Sequence, residues 1–170
     1  MDNVGIWIPC DARSEEDGIS NSEIKDKLAS LPARRVLLVS DSCFSGSFLT
    51  RALAVKPASQ SIADTATSIR ISESLAANQR ASREAISSGN MAPVPNAGSG
   101  PYSKNSPFAA SLLNALESAP KGAALSTTDL YVESYTNMQK IYDGGADRPR
   151  PQRGALPGHA GGEFFLVRVK

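Results

Sequence analysis

Short apolar runs and stretches of helical spacing alternate along the chain. Residues 36–39 form a continuous apolar run, which is typical of a strand that is covered on both faces. Before this run, residues 20–23 (Ser-Asn-Ser-Glu) match a capping box, and apolar residues then follow at helical spacing until Pro32. A helix, a short turn and a buried strand make half of an α/β unit, so the pattern predicts an α/β fold.

The rest of the chain offers further elements and three long polar or Pro/Gly-rich stretches. We expect strands over 4–9, 83–89 and 164–167, helices over about 69–80, from Ser106-Pro107 and from Ser126, and loops over 54–68 and 89–105. Residues 144–162 are rich in Gly, Pro and Arg, and we assign no helix or strand to them. The strand over 4–9 has no evident partner. We interpret the chain as a single domain in three parts: residues 1–53, the loop-rich residues 54–105, and residues 106–170.

Composition excludes several classes of function. The net charge of +1 and the pI of about 7.8 give no electrostatic reason to expect nucleic acid or a membrane surface as partner. No apolar stretch approaches the roughly 18 residues of a membrane span, and no signal peptide is evident. Two cysteines without a CxxC motif suit a reducing compartment, so we expect a cytoplasmic protein. With one histidine, a His-rich metal site is ruled out, and we predict no metal.

The candidate chemistry lies in residues 41–51, which follow the predicted strand at its carboxyl end, where α/β sheets form ligand sites. Local features leave two interpretations of Cys43 open: a nucleophilic thiol at the mouth of a crevice, or a small buried apolar residue. A serine hydrolase that uses Ser42, Ser45 or Ser47 is disfavoured because the chain has no G-x-S-x-G elbow.

Several segments, in order, resemble the caspase-like cysteine peptidases of bacteria, which are relatives of the metacaspases. Residues 36–46 (VLLVSDSCFSG) resemble the strand that carries the catalytic cysteine of that family. The other similar segments are residues 5–12 (GIWIPCDA), 19–24 (ISNSEI), 82–89 (SREAISSG), 108–116 (FAASLLNAL) and 158–164 (GHAGGEF). The resemblance therefore covers nearly the whole chain.

The resemblance implies a fold, a reaction and site residues. The fold would be a partial caspase-like three-layer α/β/α sandwich that lacks the N-terminal strands. The reaction would be endopeptidase cleavage of a peptide or protein substrate, with Cys43 as nucleophile. Asp41 would help to bind a basic P1 side chain, and Ser87 and Ser88 would line the substrate cleft. No cofactor is expected; calcium dependence occurs in the family, but nothing in the sequence supports it.

The histidine of the family is missing from the position where the resemblance requires it. None of the 42 residues before Cys43 is a histidine, and the similar segments begin just after the family's His-Gly pair. His159 matches a different, C-terminal histidine of the family, and we favour a structural or surface role for it, although its loop could still fold over the cleft. We therefore expect an inactive isolated chain that works with a missing N-terminal segment, self-associates through an exposed sheet edge, or is only marginally stable alone. The alternative is a non-catalytic caspase-like module that binds a partner protein.

Overall fold

The structure is a computed structural model, and it describes residues 5–42, 51–52, 79–89, 104–122, 124–141 and 150–167. Its helices are α1 (Asn21–Ser30), α2 (Pro107–Ser118) and α3 (Thr127–Ile141), with a 3-10 turn at Glu15–Asp17. Its strands are β1 (Ile6–Trp7), β2 (Ile19–Ser20), β3 (Arg35–Ser40), β4 (Arg51–Ala52), β5 (Ser82–Ser87), β6 (Ala124–Ser126), β7 (Gln152–Ala155) and β8 (Phe165–Val167). The predicted loop over 54–68 and nearly all of the predicted helix over 69–80 lie outside the described residues.

The main sheet has the strand order β3-β5-β7-β4. Strands β3 and β5 are parallel and pair in register from Arg35↔Ser82 to Ser40↔Ser87, whereas β7 runs antiparallel to both β5 and β4. Two small antiparallel sheets, β1-β2 and β6-β8, complete the described strands. The chain thus has the α/β fold that its pattern predicts.

Helices pack against both faces of the main sheet. On one face, Ile86 of β5 forms a buried cluster with Phe108 of α2 and Leu130 of α3, against which Leu37 of β3 packs. On the other face, Ala85 of β5 lies in a second cluster that Leu28 of α1 contacts. Side chains alternate between the two faces of a strand, so neighbouring residues of β3 and β5 supply the two clusters.

The helix ends follow the capping signals in the sequence. Ser20 Oγ accepts a hydrogen bond from Glu23 N at 3.2 Å, and Glu23 Oε2 accepts one from Ser20 N at 2.8 Å, which completes the predicted capping box of α1. Helix α2 begins with Pro107 in its first turn. Before α3, the Ser126 hydroxyl accepts a hydrogen bond from Asp129 N at 3.0 Å. Each cap satisfies backbone amides that have no partner within the helix.

Two features of the strands differ from expectation. Residues 144–162, to which the sequence assigned no strand, contain β7, which pairs with β5 inside the main sheet. The Gly, Pro and Arg content of this segment does not indicate a strand. Arg153 is buried in β7 because it forms an ion pair with Glu84, and the pattern of apolar residues does not predict such a pair. The strand at the start of the chain does have a partner, since β1 pairs with β2 through Ile6↔Ser20 and Trp7↔Ile19.

Strand β3 lies at an edge of the main sheet, and β5 is its only pairing partner among the described strands. Val36, Leu37 and Leu38 are half-buried and Val39 keeps 40 % of its surface exposed. The bare edge expected for this strand is therefore present in the described part of the chain. No helix among the described residues is long and apolar enough to cross a membrane.

Candidate functional site

The carboxyl ends of β3 and β5 meet at one edge of the main sheet. Ser40 and Ser87 are the last register partners of the two parallel strands. Just beyond them, Ser88 N donates a hydrogen bond to Ser40 O at 3.0 Å, and Ser88 Oγ donates one to Ser42 O at 3.4 Å. The predicted positions 41, 42, 87 and 88 therefore lie close together, although they are far apart in sequence.

Asp41 is exposed at this edge and is held from a third element. The Ser106 hydroxyl, just before the first residue of α2, donates a hydrogen bond to Asp41 Oδ2. Ser106 Oγ also accepts a hydrogen bond from Ala109 N at 2.9 Å, so Ser106 caps the helix as well. Sequence reasoning identified Ser106 only as a helix start. Nothing in the linear sequence relates it to Asp41, which lies 65 residues away.

Ser87 and Ser88 are completely buried at the same edge. The Ser87 hydroxyl donates to Gly89 O at 3.2 Å, and that of Ser88 donates to the Ser42 carbonyl. Both hydroxyls thus bind backbone carbonyls within the protein, and the bond from Ser88 joins the ends of the two strands. The interpretation of these serines as lining for a substrate stays a prediction.

Cys43 follows Ser42 directly in the sequence but lies outside the described residues. The nucleophile assignment is therefore a prediction that the described geometry does not test. The nearest described positions, Asp41 and Ser42, are those at the carboxyl end of β3.

His159 lies at the opposite end of the sheet. Its Nδ1 accepts a hydrogen bond from the backbone N of Arg83 at 3.2 Å, near the amino end of β5. From Arg83 to Ser87 the strand rises by roughly 13 Å. This contact agrees with the structural role expected for His159. The alternative, in which its loop folds over the cleft, does not hold, because the ring binds the far end of β5 from Asp41.

Arg83 links several segments at that end of the sheet. Its buried guanidinium donates to Ala33 O at 2.6 Å, Leu31 O at 3.2 Å and Leu28 O, where α1 ends, and Nε donates to Pro157 O at 2.7 Å. A cation at the carboxyl end of a helix interacts favourably with its carbonyls. Arg83 therefore stabilises the packing of α1 and the 157–159 turn.

A buried ion pair joins the two central strands but lies away from the candidate site. Arg153 of β7 contacts Glu84 Oε2 of β5 at 2.6 Å and Glu163 Oε1 at 3.4 Å. Glu163 also accepts a hydrogen bond from Thr128 N at 3.0 Å, at the start of α3. Within the described part of the chain, no group of three or more His, Cys, Asp or Glu residues has the geometry to hold a metal ion.

The chain is thus an α/β protein with a polar site where two parallel strands end beside the start of a helix. Comparison with known proteins adds no relative, since no family model, curated protein or solved structure matches the chain. The likeness to caspase-like peptidases is carried by the sequence segments alone.

Proposed function

We propose that this chain carries the cysteine-bearing part of a caspase-like endopeptidase domain that cleaves after arginine or lysine. The observation that carries the proposal is the position of Asp41. Its carboxylate is exposed where β3 and β5 end side by side, two residues before Cys43. A carboxylate at such an edge can accept charge-assisted hydrogen bonds from a guanidinium or ammonium group.

The arrangement of layers supports the same proposal. Helices on both faces of a sheet with parallel β3 and β5 agree with part of a three-layer α/β/α sandwich of the caspase type. In that fold, the substrate would lie across the carboxyl ends of these strands. Ser87 and Ser88 would shape the wall of the cleft through the backbone that they hold.

The reaction follows from the chemistry of a thiolate. Cys43 Sγ attacks the scissile carbonyl carbon, the C–N bond breaks, and the leaving amine takes a proton. Water then hydrolyses the thioester, which releases the carboxylic acid and regenerates the thiol. The family's histidine would move these protons, and His159 is too far along the sheet to do so. We therefore expect the chain alone to bind a basic P1 side chain without turning over the peptide.

The test is covalent labelling of the two cysteines by peptidyl chloromethyl ketones that differ only at P1. Cys10, whose thiol is exposed, serves as the internal reference. We expect an arginine reagent to label Cys43 relative to Cys10 about tenfold or more faster than an aspartate reagent, as one charge-assisted hydrogen bond allows. Cys43→Ala should leave only Cys10 labelled, as peptide mass spectrometry would show.

Equal labelling of Cys43 by both reagents would contradict the basic specificity. Steady turnover of an arginyl amide substrate by the chain alone would contradict the proposal that this chain lacks the general base. Turnover that survives Cys43→Ala in a form supplied with the upstream residues would overturn the nucleophile assignment.

A second candidate function is a non-catalytic caspase-like module that binds a partner protein. The position of the single histidine of the sequence, at the far end of β5 from Asp41, favours it. Under this alternative, Cys43 would react no faster with any peptidyl reagent than Cys10 does. In either case, we propose that the open edge of β3 receives a strand, from an N-terminal segment of the same domain or from a second copy. We propose no metal, cofactor, nucleic-acid or membrane partner.

A further inference from the structure

The Ser106 hydroxyl both donates and accepts a hydrogen bond, and the two bonds have different effects on the structure. The oxygen accepts the Ala109 N–H at 2.9 Å, which caps α2. An ionised carboxylate can only accept, so the hydroxyl hydrogen goes to Asp41 Oδ2. A cap needs only the first of these bonds. The second is an additional contact between the start of α2 and the end of β3.

Ser106 is held in place by the core, whereas Asp41 is not. Two residues after Ser106, Phe108 is fully buried and packs with Ile86, near the carboxyl end of β5. The start of α2 is therefore fixed relative to β5. Asp41 is exposed, and an exposed aspartate samples several rotamers unless a partner selects one. The bond from Ser106 selects one orientation of this carboxylate.

The bond from Ser106 uses only part of the hydrogen-bonding capacity of the Asp41 carboxylate. Two carboxylate oxygens have about four acceptor positions between them, and Ser106 occupies one at Oδ2. A guanidinium could therefore bind while the hydroxyl stays in place. A carboxylate that is already oriented loses less conformational entropy when a ligand binds, and the affinity rises accordingly.

We infer that Ser106 is a positioning residue for Asp41, and that it sets how strongly the site prefers a basic P1 side chain. This inference rests on the proposed function, because it needs Asp41 to bind the P1 side chain. It assigns to α2 a part in substrate selection that its core-packing role does not require.

The experiment measures the selectivity of Cys43 labelling in the full chain. Two peptidyl chloromethyl ketones are used, one with arginine and one with norleucine at P1, so that their rate ratio cancels the intrinsic reactivity of the thiol. We expect Ser106→Ala and Ser106→Gly to lower this ratio about fivefold to tenfold, the effect of one ordinary hydrogen bond. Ser106→Thr keeps the hydroxyl and should keep the ratio.

Two further variants separate positioning from capping. Ser126→Ala removes the corresponding cap of α3 and should leave the ratio unchanged. The start of α3 contacts Glu163, which Arg35 binds at the amino end of β3, whereas Asp41 follows the carboxyl end of that strand. Ser106→Gly costs the helix only a few tenths of a kcal/mol relative to serine, so a fall in its ratio cannot come from an unwound α2. Circular dichroism of each variant records the helix content.

The outcomes distinguish this inference from the function on which it rests. If Asp41→Asn abolishes the arginine preference while Ser106→Ala and Ser106→Gly retain it, then Asp41 acts without Ser106 and the inference is overturned alone. If the unaltered chain shows no arginine preference, or if Asp41→Asn retains it, then the proposed specificity fails and the inference fails with it.

Discussion

At the scale of the residue, the buried charges of the central strands have the largest energetic consequences. Glu84 is fully buried, and its Oε1 accepts a hydrogen bond from Ser82 Oγ at 2.9 Å. Its Oε2 accepts from Arg153 Nε at 2.8 Å. A charge left without a partner in such a place costs several kcal/mol, whereas an apolar pair of similar volume costs far less. The two residues therefore depend on each other.

We predict that Arg153→Met lowers the free energy of unfolding by about 3–5 kcal/mol, because it leaves the carboxylate of Glu84 buried without its cation. Glu84→Met combined with Arg153→Met should be less damaging than Arg153→Met alone. Urea unfolding followed by circular dichroism measures both. Arg13→Met, at an exposed position, is the control and should change stability by less than about 0.5 kcal/mol. A double variant no more stable than the single one would contradict this dependence.

At the scale of the element, α1 shows how a local cap becomes sensitive to pH. Hydrogen bonds from the backbone N of Ser20 and from its hydroxyl lower the pKa of Glu23 below its ordinary value. Both bonds favour the ionised carboxylate in the folded state. A group with a depressed folded pKa adds stability above its unfolded pKa and loses it as the pH falls through the folded value.

We predict that the contribution of this cap is fully present above the ordinary pKa of a glutamate and is lost as the pH falls through the lower folded pKa of Glu23. Glu23→Gln should remove that part of the acid dependence, because a neutral amide does not titrate. The measurement is the midpoint of thermal unfolding between about pH 3 and pH 6 for both proteins. Identical slopes for the two proteins over this range would contradict the role of Glu23.

At the scale of the whole molecule, one edge of β3 is not paired with any described strand and is the candidate surface for association. Arg34 O and Ser40 O accept hydrogen bonds from β5 through Ser82 N and Ser88 N. The backbone N–H and C=O groups of successive residues in a strand point to opposite sides. Those of Leu37 and Val39 therefore point away from β5. Such an edge, with the half-exposed side chain of Val39 on it, is a template for another strand.

We predict that the chain self-associates through this edge and that Val39→Lys reduces the association, because a lysine on an edge strand opposes pairing. The matched control is Val132→Lys on α3, since Val132 is 39 % exposed and Val39 is 40 % exposed. Sedimentation velocity over a range of concentrations measures the effect. Equal association of the two variants would show that the contact lies elsewhere.

Much of the fold could be predicted because its signals are local. The caps at Ser20, Ser106 and Ser126 and the apolar run over 36–39 depend on neighbours within a few residues. Strand β7 could not be predicted, because Gln152–Ala155 is a strand only where β5 and β4 flank it and Glu84 neutralises Arg153. The pairing of β1 with β2 was missed because the β2 segment is only two residues long.

The candidate site divides in the same way. The sequence by itself determined the residue types at the end of β3, the absence of a histidine before Cys43, and the helix start at Ser106. Only the tertiary structure decided that Ser106 holds Asp41, and that His159 binds the amino end of β5, far from Asp41. The physical reason is that hydrogen bonds between distant segments depend on how strands and helices pack. Periodicity and capping signals do not specify that packing.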